Sequence, residues 1–542
     1  MNPTDSSTDS STDSSADSSG ESEKTRQRPV RVDPPVFWTA LVFLLVSSAV
    51  LVIYREASLE VLQKVLSFLT KEFGAFFLWF AFLGMIWLGW MAWGPYGGKR
   101  FGTPDSRPDY STLSWFGMLF CAGIGSNLLY FGTMEWMWYY LSPPVAVGAQ
   151  SPDAAAWAGA YSFFHWGISA WAIYGMATLP IAYVLHVKRS PELRLSTACR
   201  GLLGDRIDGA LGKAIDVLFI FGLVGGVGTS LGVGIPMVSA VASRLFGVTQ
   251  GFGLDVALIC ALTAVFSVSV SMGLDKGIKR LSDLNVGLAI GLLTFILLVG
   301  STGFILNYAT DSLGLMLQNF VRMSLRTDPV SESGFAQNFT VFYWAWWVAW
   351  APFMGLFVAR ISGGRTIRQV VLGVVGGGSV GCWTGFAILG GSALDLVRQG
   401  RESMTSLLNV EEATSVDGPA AVVALLESLP FTEVVLVVFF VLAFVFVATS
   451  LDSAAFTLSA AASADLPVDG QPPRWHRLLW ALVLGGSALT LMYLGGLKVL
   501  QAASVVVGFP LMWVMIIAIV SLMRGLREEQ KGEVDSARDE RP

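Results

Sequence analysis

The sequence predicts an all-α polytopic membrane protein with about twelve transmembrane helices. Hydrophobic residues make up 53% of the chain and charged residues only 14%, where a soluble protein carries roughly a quarter charged. Mean hydropathy is +0.60, which points to lipid as the main solvent. Apolar runs long enough to cross ~30 Å of hydrocarbon fall near 36–54, 74–94, 115–141, 156–186, 214–242, 253–273, 284–306, 340–361, 366–394, 431–459, 475–494 and 499–523. With a cytoplasmic N-terminus, 26 of the 35 Lys and Arg fall on the cytoplasmic side. That asymmetry supports an even number of spans, with both termini cytoplasmic and a multi-pass location in the cell membrane.

Residues 1–33 open as a near-repeat of Thr, Asp and Ser. So polar a segment buries too little surface to offset the entropy of ordering, and it is expected to be a disordered tail. It lacks a signal-peptide core, so the first helix stays in place. Residues 34–110 hold spans 1 and 2 and a loop, with Trp79, Trp87, Trp90 and Trp93 suited to an interfacial belt. Within span 3, MLFCAGIGSNLLYFGTM brings Gly123 and Gly125 to mid-membrane, where close glycines weaken a helix by about 1 kcal/mol each and let the backbone open. Pro352 in WAPFMG interrupts span 8 in the same way. Glycine and proline are common in membrane helices, but breaks five spans apart suggest the matched discontinuous helices of an inverted-repeat transporter. Residues 111–308 (spans 3–7) and 340–524 (spans 8–12) are then the two repeats, a 5+5 arrangement with two extra N-terminal helices. Residues 309–339 are expected to connect them outside, and 525–542 to form a short charged tail.

The stretch FYWAWWVAWAPF places Trp344, Trp346, Trp347 and Trp350 within seven positions of span 8. At 3.6 residues per turn Tyr343, Trp347, Trp350 and Met354 share a face, Trp346 lies close to it and Trp344 is turned away. Span 4 carries a second cluster, FHWGISAWAIYG, with Trp166, Trp171 and Tyr174. Membrane aromatics usually pack or form belts at helix ends, yet Trp347 and Trp171 fall near span centres. Facing each other, the two clusters form a box of π-faces. Such a box favours a quaternary ammonium ion, which is drawn to the ring quadrupole and needs no hydrogen-bond acceptor, at ~2 kcal/mol or less per desolvated contact.

The run FYWAWWVAWAPFMGLFVARISGGRTIRQ, with FHWGISAWAIYG upstream, resembles the betaine/choline/carnitine transporter family over about 36–524. The resemblance implies a secondary transporter with a LeuT-like core, assembled as a homotrimer, that moves trimethylammonium compounds such as carnitine, γ-butyrobetaine, glycine betaine or choline by alternating access. It implies a substrate box of Trp166, Trp171, Tyr174 and Trp347, with Trp346 and Trp350 along the path. It also implies a sodium site built from the Thr449 and Ser450 hydroxyls, the Phe446 carbonyl and carbonyls near Cys121 and Ile124. Intramembrane Ser and Thr often bond back to the preceding turn instead.

Coupling divides the signals. The Thr449–Ser450 pair favours sodium symport. Asn127, where sodium-coupled members typically have a third glycine, and YFGTMEWMWYYLSPP resemble the carnitine branch, some of whose members exchange substrates without sodium. Met354 and Tyr130 match that branch's pocket. There an arginine can replace the sodium, but Arg280 lies at a span end. Glu135 and Asp452 are intramembrane ionisable groups and functional candidates by default, with Asp452 read first as an acceptor for helix-end amides.

Other classes fare worse. His165, His186 and His476 are the only histidines, too scattered for an enzyme site, and His165 reads as a packing or hydrogen-bonding residue. Cys121, Cys199, Cys260 and Cys382 show no metal-ligand or disulfide pattern. No cofactor is called for beyond a possible sodium ion, and no basic run suggests nucleic acid. An osmolyte-binding sensor or a channel is the alternative of another class, although one aromatic box does not resemble a ringed pore. Residues 526–542 carry four Lys or Arg against six Asp or Glu, unlike a basic lipid-reading helix, so no strong C-terminal osmosensor is expected.

Overall fold

A computed structural model describes residues 30–539 apart from 191, 193, 272–276, 465, 467–469 and 496. Most of the acidic tail, residues 1–29, lies outside the described residues. The helices of ten residues or more are α1 (Pro34–Ile53), α2 (Arg55–Glu72), α3 (Gly74–Trp93), α4 (Thr112–Gly123), α5 (Gly125–Leu141), α6 (Pro152–His165), α7 (Ile168–Ala182), α8 (Ala210–Phe246), α9 (Phe252–Ser271), α10 (Gly277–Val299), α11 (Thr302–Leu325), α12 (Phe342–Ile361), α13 (Gly378–Arg398), α14 (Gly418–Glu427), α15 (Thr432–Ala461), α16 (Arg474–Gly495) and α17 (Leu497–Asp539).

Among the described residues, nine helices are long and apolar enough to cross a membrane, and two bent pairs bring the number to eleven. The twelfth expected span corresponds to α9, whose described apolar stretch, Phe252–Val268, is a shorter helix. The protein is an all-helical polytopic membrane protein. Its one sheet among the described residues is the two-residue pairing of Arg31–Val32 with Ser463–Ala464.

Several starts follow local chemistry. Asp33 caps α1 ahead of Pro34 and Pro35, Ser111 caps α4, Ser151 caps α6 and Asp417 caps α14, each side chain accepting from a backbone N–H that the first turn leaves without an intrahelical partner. The amphipathic α2, unforeseen in the sequence, carries Glu56, Glu60, Lys64, Lys71 and Glu72 and stays largely exposed.

The helices sort by burial. The window containing α12 is 94% buried, whereas that of α1 is only 28% buried, so α12 is an inner helix and α1 a peripheral one. α12 packs most extensively against α7, and also against α17 and α8. Of the four tryptophans of α3, Trp79, Trp90 and Trp93 are exposed, while Trp87 is half-buried with its indole N–H unpartnered.

Span 3 breaks where the glycines suggested. Ile124 leaves helical geometry at φ −140°, ψ −18°, and the chain bends by 65° between the two halves. Span 8 does not break: α12 runs through Pro352 without interruption, which overturns the expectation of a matching discontinuity. Proline removes one backbone donor, and here the helix continues with its neighbours packed tightly around it. A break unforeseen in the sequence lies in span 4, at Trp166–Gly167 between α6 and α7. The indole Nε1 of Trp383 donates to the Phe163 carbonyl at this break, at 2.8 Å. Span 7 is the other bent pair, with α11 turning through 108° from α10, so the second half of α11 occupies the start of the segment 309–339.

The N-terminus of α1 is tied down by ions. Arg194 donates to Asp33 at 3.0 Å and lies 3.7 Å from Asp216, while also donating to the Ser463 carbonyl at 2.6 Å. Arg194→Ala leaves two buried carboxylates without their cation. It is expected to destabilise the protein by about 3–5 kcal/mol, read as a lower Tm in detergent.

Candidate functional site

The site lies where the inner helices α7 and α12 meet beside the break in span 3. A helix repeat of 3.6 residues puts Trp346, Trp347 and Trp350 on adjoining strips of α12, and the break after His165 places Trp166 beside them. Trp347 is the shared wall. Its ring lies 4.6 Å from Tyr174, 5.5 Å from Trp166 and 6.0 Å from Trp171, centroid to centroid. Trp171 and Tyr174 meet edge to face at 5.6 Å, and Trp166 meets Trp346 in the same manner at 5.9 Å. These are favourable geometries for ring quadrupoles.

Asn127, Trp166, Tyr174, Trp346, Trp347 and Trp350 line a narrow cleft of about 10 Å³, room for about one water at most. All six are buried, none more than 5% exposed. The indole N–H groups of Trp346, Trp347 and Trp350 and the amide oxygen of Asn127 have no hydrogen-bond partner there. Buried unpaired donors are costly; Trp138, Trp171 and Trp344, which do not line the cavity, also carry unpaired indole N–H groups. Asn127 also donates to Ser230 Oγ at 2.9 Å, tying the broken span to α8. Its place in the wall was not read from the sequence, where it registered only as a departure from glycine.

The remaining expected residues distribute as follows. Trp171 backs the cavity without lining it, stacked at 6.3 Å on Phe120 at the end of α4. Tyr130 and Met354 are buried but are not among the lining residues. The Tyr130 hydroxyl instead packs against Gly418 at the start of α14. Trp344 is turned toward Phe164 and His165, at 5.3 and 5.8 Å. Phe131 and Phe386, which the sequence reading passed over, flank Trp166 at 5.4 and 5.2 Å.

The Thr449–Ser450 pair is buried on α15. Thr449 donates back to the Phe446 carbonyl at 3.0 Å, the common local bond for such a residue, which leaves its oxygen lone pairs available. The Phe446 ring presses on the backbone of Gly125, where any side chain would overlap it. α15 therefore reaches the break at Ile124 directly. The side chains of Cys121 and Arg280 lie outside the described residues.

Two ionisable groups resolve differently. Among the described residues Asp452 accepts from no helix-end amide; it pairs with Arg477 of α16 at 2.9 Å, both buried, and that countercharge offsets part of the cost of burying the carboxylate. Glu135 instead accepts from Tyr139 at 2.7 Å, from Trp166 Nε1 at 2.6 Å and from Tyr343. His165 bonds Tyr139 at 2.7 Å and Thr340 at 3.0 Å, the hydrogen-bonding role expected of it.

Residues 35–531 match the BCCT family, described as betaine/carnitine/choline family transporters. The chain is 36% identical over 500 residues to the glycine betaine transporter OpuD of Bacillus subtilis, covering 92% of this chain and 95% of that protein. It is 34% identical over 511 residues to a glycine betaine transporter of Acinetobacter baylyi, 93% of this chain and 75% of that one. A carnitine transporter of Acinetobacter baumannii is 33% identical over 492 residues, 91% of this chain and 88% of its own.

The wall behind Trp171 depends on Gly378 of α13, since a Cβ there would overlap the indole, whereas one at Gly376 meets nothing within 4 Å. Gly378→Ala is expected to cost about 1–3 kcal/mol by overpacking, seen as a lower Tm in detergent. Gly376→Ala should leave Tm nearly unchanged.

Proposed function

The chain belongs to the betaine/carnitine/choline transporter family, which carries quaternary ammonium compounds across membranes, and from that membership we propose that it moves a trimethylammonium zwitterion by alternating access. The carrying observation is the position of Trp347, faced at once by Trp166, Trp171 and Tyr174. Rings on several sides can replace the water around a cation that has no N–H to donate, whereas one ring at ~2 kcal/mol cannot. The rings lie close together, so the headgroup enters by parting them, as alternating access requires.

The unpaired indole N–H groups of Trp346, Trp347 and Trp350 favour a zwitterion over a bare cation. They are donors only and match a carboxylate such as that of carnitine, γ-butyrobetaine or glycine betaine. The hydroxyl of choline offers them far less. Trp171 completes the box from behind, whereas Tyr130, packed against Gly418 of α14, and Met354 are buried outside the lining.

Sodium is the proposed co-substrate. Hard oxygen donors suit it, and the Thr449 and Ser450 hydroxyls, with the Phe446 carbonyl and carbonyls at the break near Cys121 and Ile124, supply them without adding charge. Asn127 in the cavity wall keeps a second reading in play, a sodium-independent exchanger of carnitine type. The termini are placed in the cytoplasm by the distribution of Lys and Arg, and the family likeness supports a homotrimer.

Uptake of labelled glycine betaine and carnitine into proteoliposomes, with and without a sodium gradient, tests both readings. Symport requires uptake that follows the gradient and falls at least about tenfold in Thr449→Ala/Ser450→Ala, from the loss of about 1.4 kcal/mol of sodium binding. Uptake indifferent to sodium but accelerated by internal substrate identifies the exchanger. Absence of trans-stimulation in either condition argues for a channel. Trp347→Leu is expected to weaken substrate binding about thirtyfold, the equivalent of ~2 kcal/mol. Unchanged affinity in this variant removes the box from the mechanism.

A further inference from the structure

Beneath the box lies a buried carboxylate that substrate recognition does not use. Glu135 is fully buried, as are Tyr139 and His165, and three donors on α5, α12 and the α6–α7 break converge on it. The groups that face it are the phenols of Tyr139 and Tyr343, the indole of Trp166 and the thiol of Cys382. His165 stands one step behind Tyr139. Arg322, Arg326 and Asp328 lie further out, around Tyr161, and Asp417 faces Tyr130 rather than Glu135. Among the described residues no cation pairs with Glu135, unlike Asp452 with its arginine.

A chain of hydrogen bonds leads away from this carboxylate. It runs from Glu135 to Tyr139, to His165 Nδ1, and from His165 Nε2 to Thr340. Thr340 is buried, but Asn338 two residues earlier is exposed. Every link can run in either direction, because hydroxyls and a neutral imidazole both donate and accept.

We propose that Glu135 is a proton-binding site, filled from water on the Thr340 side through His165 and Tyr139, and that its proton is linked to ligand binding through Trp166. With Glu135 ionised, Tyr139 donates to it, His165 Nδ1–H donates to Tyr139, and Thr340 donates to His165 Nε2. A proton arriving from hydronium binds Nε2 as Thr340 rotates to accept. His165 then gives its Nδ1 proton to Tyr139, and Tyr139 gives its own to Glu135. One proton is gained and every link is reversed. The Trp166 indole now bonds a neutral acid instead of a carboxylate, and charge-assisted bonds are roughly twice as strong. Protonation therefore loosens one wall of the box, and ligand binding expels the proton. The linkage to ligand rests on the box reading above, whereas the proton site itself does not.

Two measurements test this separately. In pH-difference infrared spectra of the purified protein, wild type should gain a carboxylic C=O band on acidification that Glu135→Gln lacks. In tryptophan-fluorescence titrations with glycine betaine and carnitine, wild-type affinity should fall severalfold from pH 8.5 to pH 5.5. Glu135→Gln, whose amide copies the protonated form, should show the weaker affinity at both. Identical infrared spectra for the two proteins, or a pH dependence that survives in Glu135→Gln, overturn the proposal. Failure of wild type to bind either ligand would count against the box and leave the infrared result to decide the proton site. Tyr139→Phe, which cuts the relay but keeps the ring, should retain the band and slow its appearance after a pH jump. A band appearing at the wild-type rate there rules out the relay, and this arm holds even where Glu135→Gln fails to fold.

Discussion

The face-to-face packing of α7 against α12 sets the distances from Trp347 to Trp171 and Tyr174. Tryptophan and tyrosine bring large rigid surfaces with few rotatable bonds, so once two helix axes are fixed the rings have little freedom to rearrange. Small residues make the approach possible: Gly355 of α12 lies directly against Ala177 of α7. The box is in this sense a property of the helix pair, and Trp347 is central because it projects from the middle of that seam.

Polar groups of the interior divide into those that hold a partner and those that do not. Several that frame the structure hold one. Trp383 bonds the carbonyl at the break in span 4, Asp452 has Arg477, and Arg194 joins Asp33, Asp216 and the short strand at Ser463. The indole N–H groups of Trp346, Trp347 and Trp350 in the cavity wall are unpaired, as are those of Trp138, Trp171 and Trp344 outside it. In a low-dielectric interior such groups are tolerated where a ligand supplies the missing partner. Glu135 stands between the two kinds, fully hydrogen-bonded yet without a countercharge, and it links a cavity wall to a chain of exchangeable protons.

Mobility follows from the same arrangement. The break at Ile124, the break at Trp166–Gly167 and the sharp turn between α10 and α11 are places where the backbone can hinge without rupturing a helix. Two of them flank the box. Phe446 resting on Gly125 connects the hydroxyl pair of α15 to the first hinge, so an ion held there is in a position to bias the angle between α4 and α5. The C-terminal helix is engaged as well, since Glu529 accepts from Tyr183 at 2.7 Å and from Lys99, joining α17 to the cytoplasmic ends expected of spans 2 and 4.

The amino-acid sequence alone determined the solvent, the helical class and the chemistry of the box. Those are consequences of composition and of the 3.6-residue period, which put Trp346 and Trp350 about 40° apart on one side of the helix and Trp344 and Trp350 on opposite sides of Trp347; the contacts of Trp344 with Phe164 and His165 came from the fold. The weak point at Ile124 was legible in the same local way, as closely spaced glycines. Tertiary structure decided what depends on partners distant in the chain. Pro352 stays helical because α12 is packed on all sides, Trp166 enters the box because Gly167 lets the helix break and Trp383 caps the opening, and Tyr130 is drawn away to α14. Glu135 and Tyr139 stand four residues apart on one helix face, but His165 and Tyr343 reach that face from other helices, and only the folded chain brings all four together.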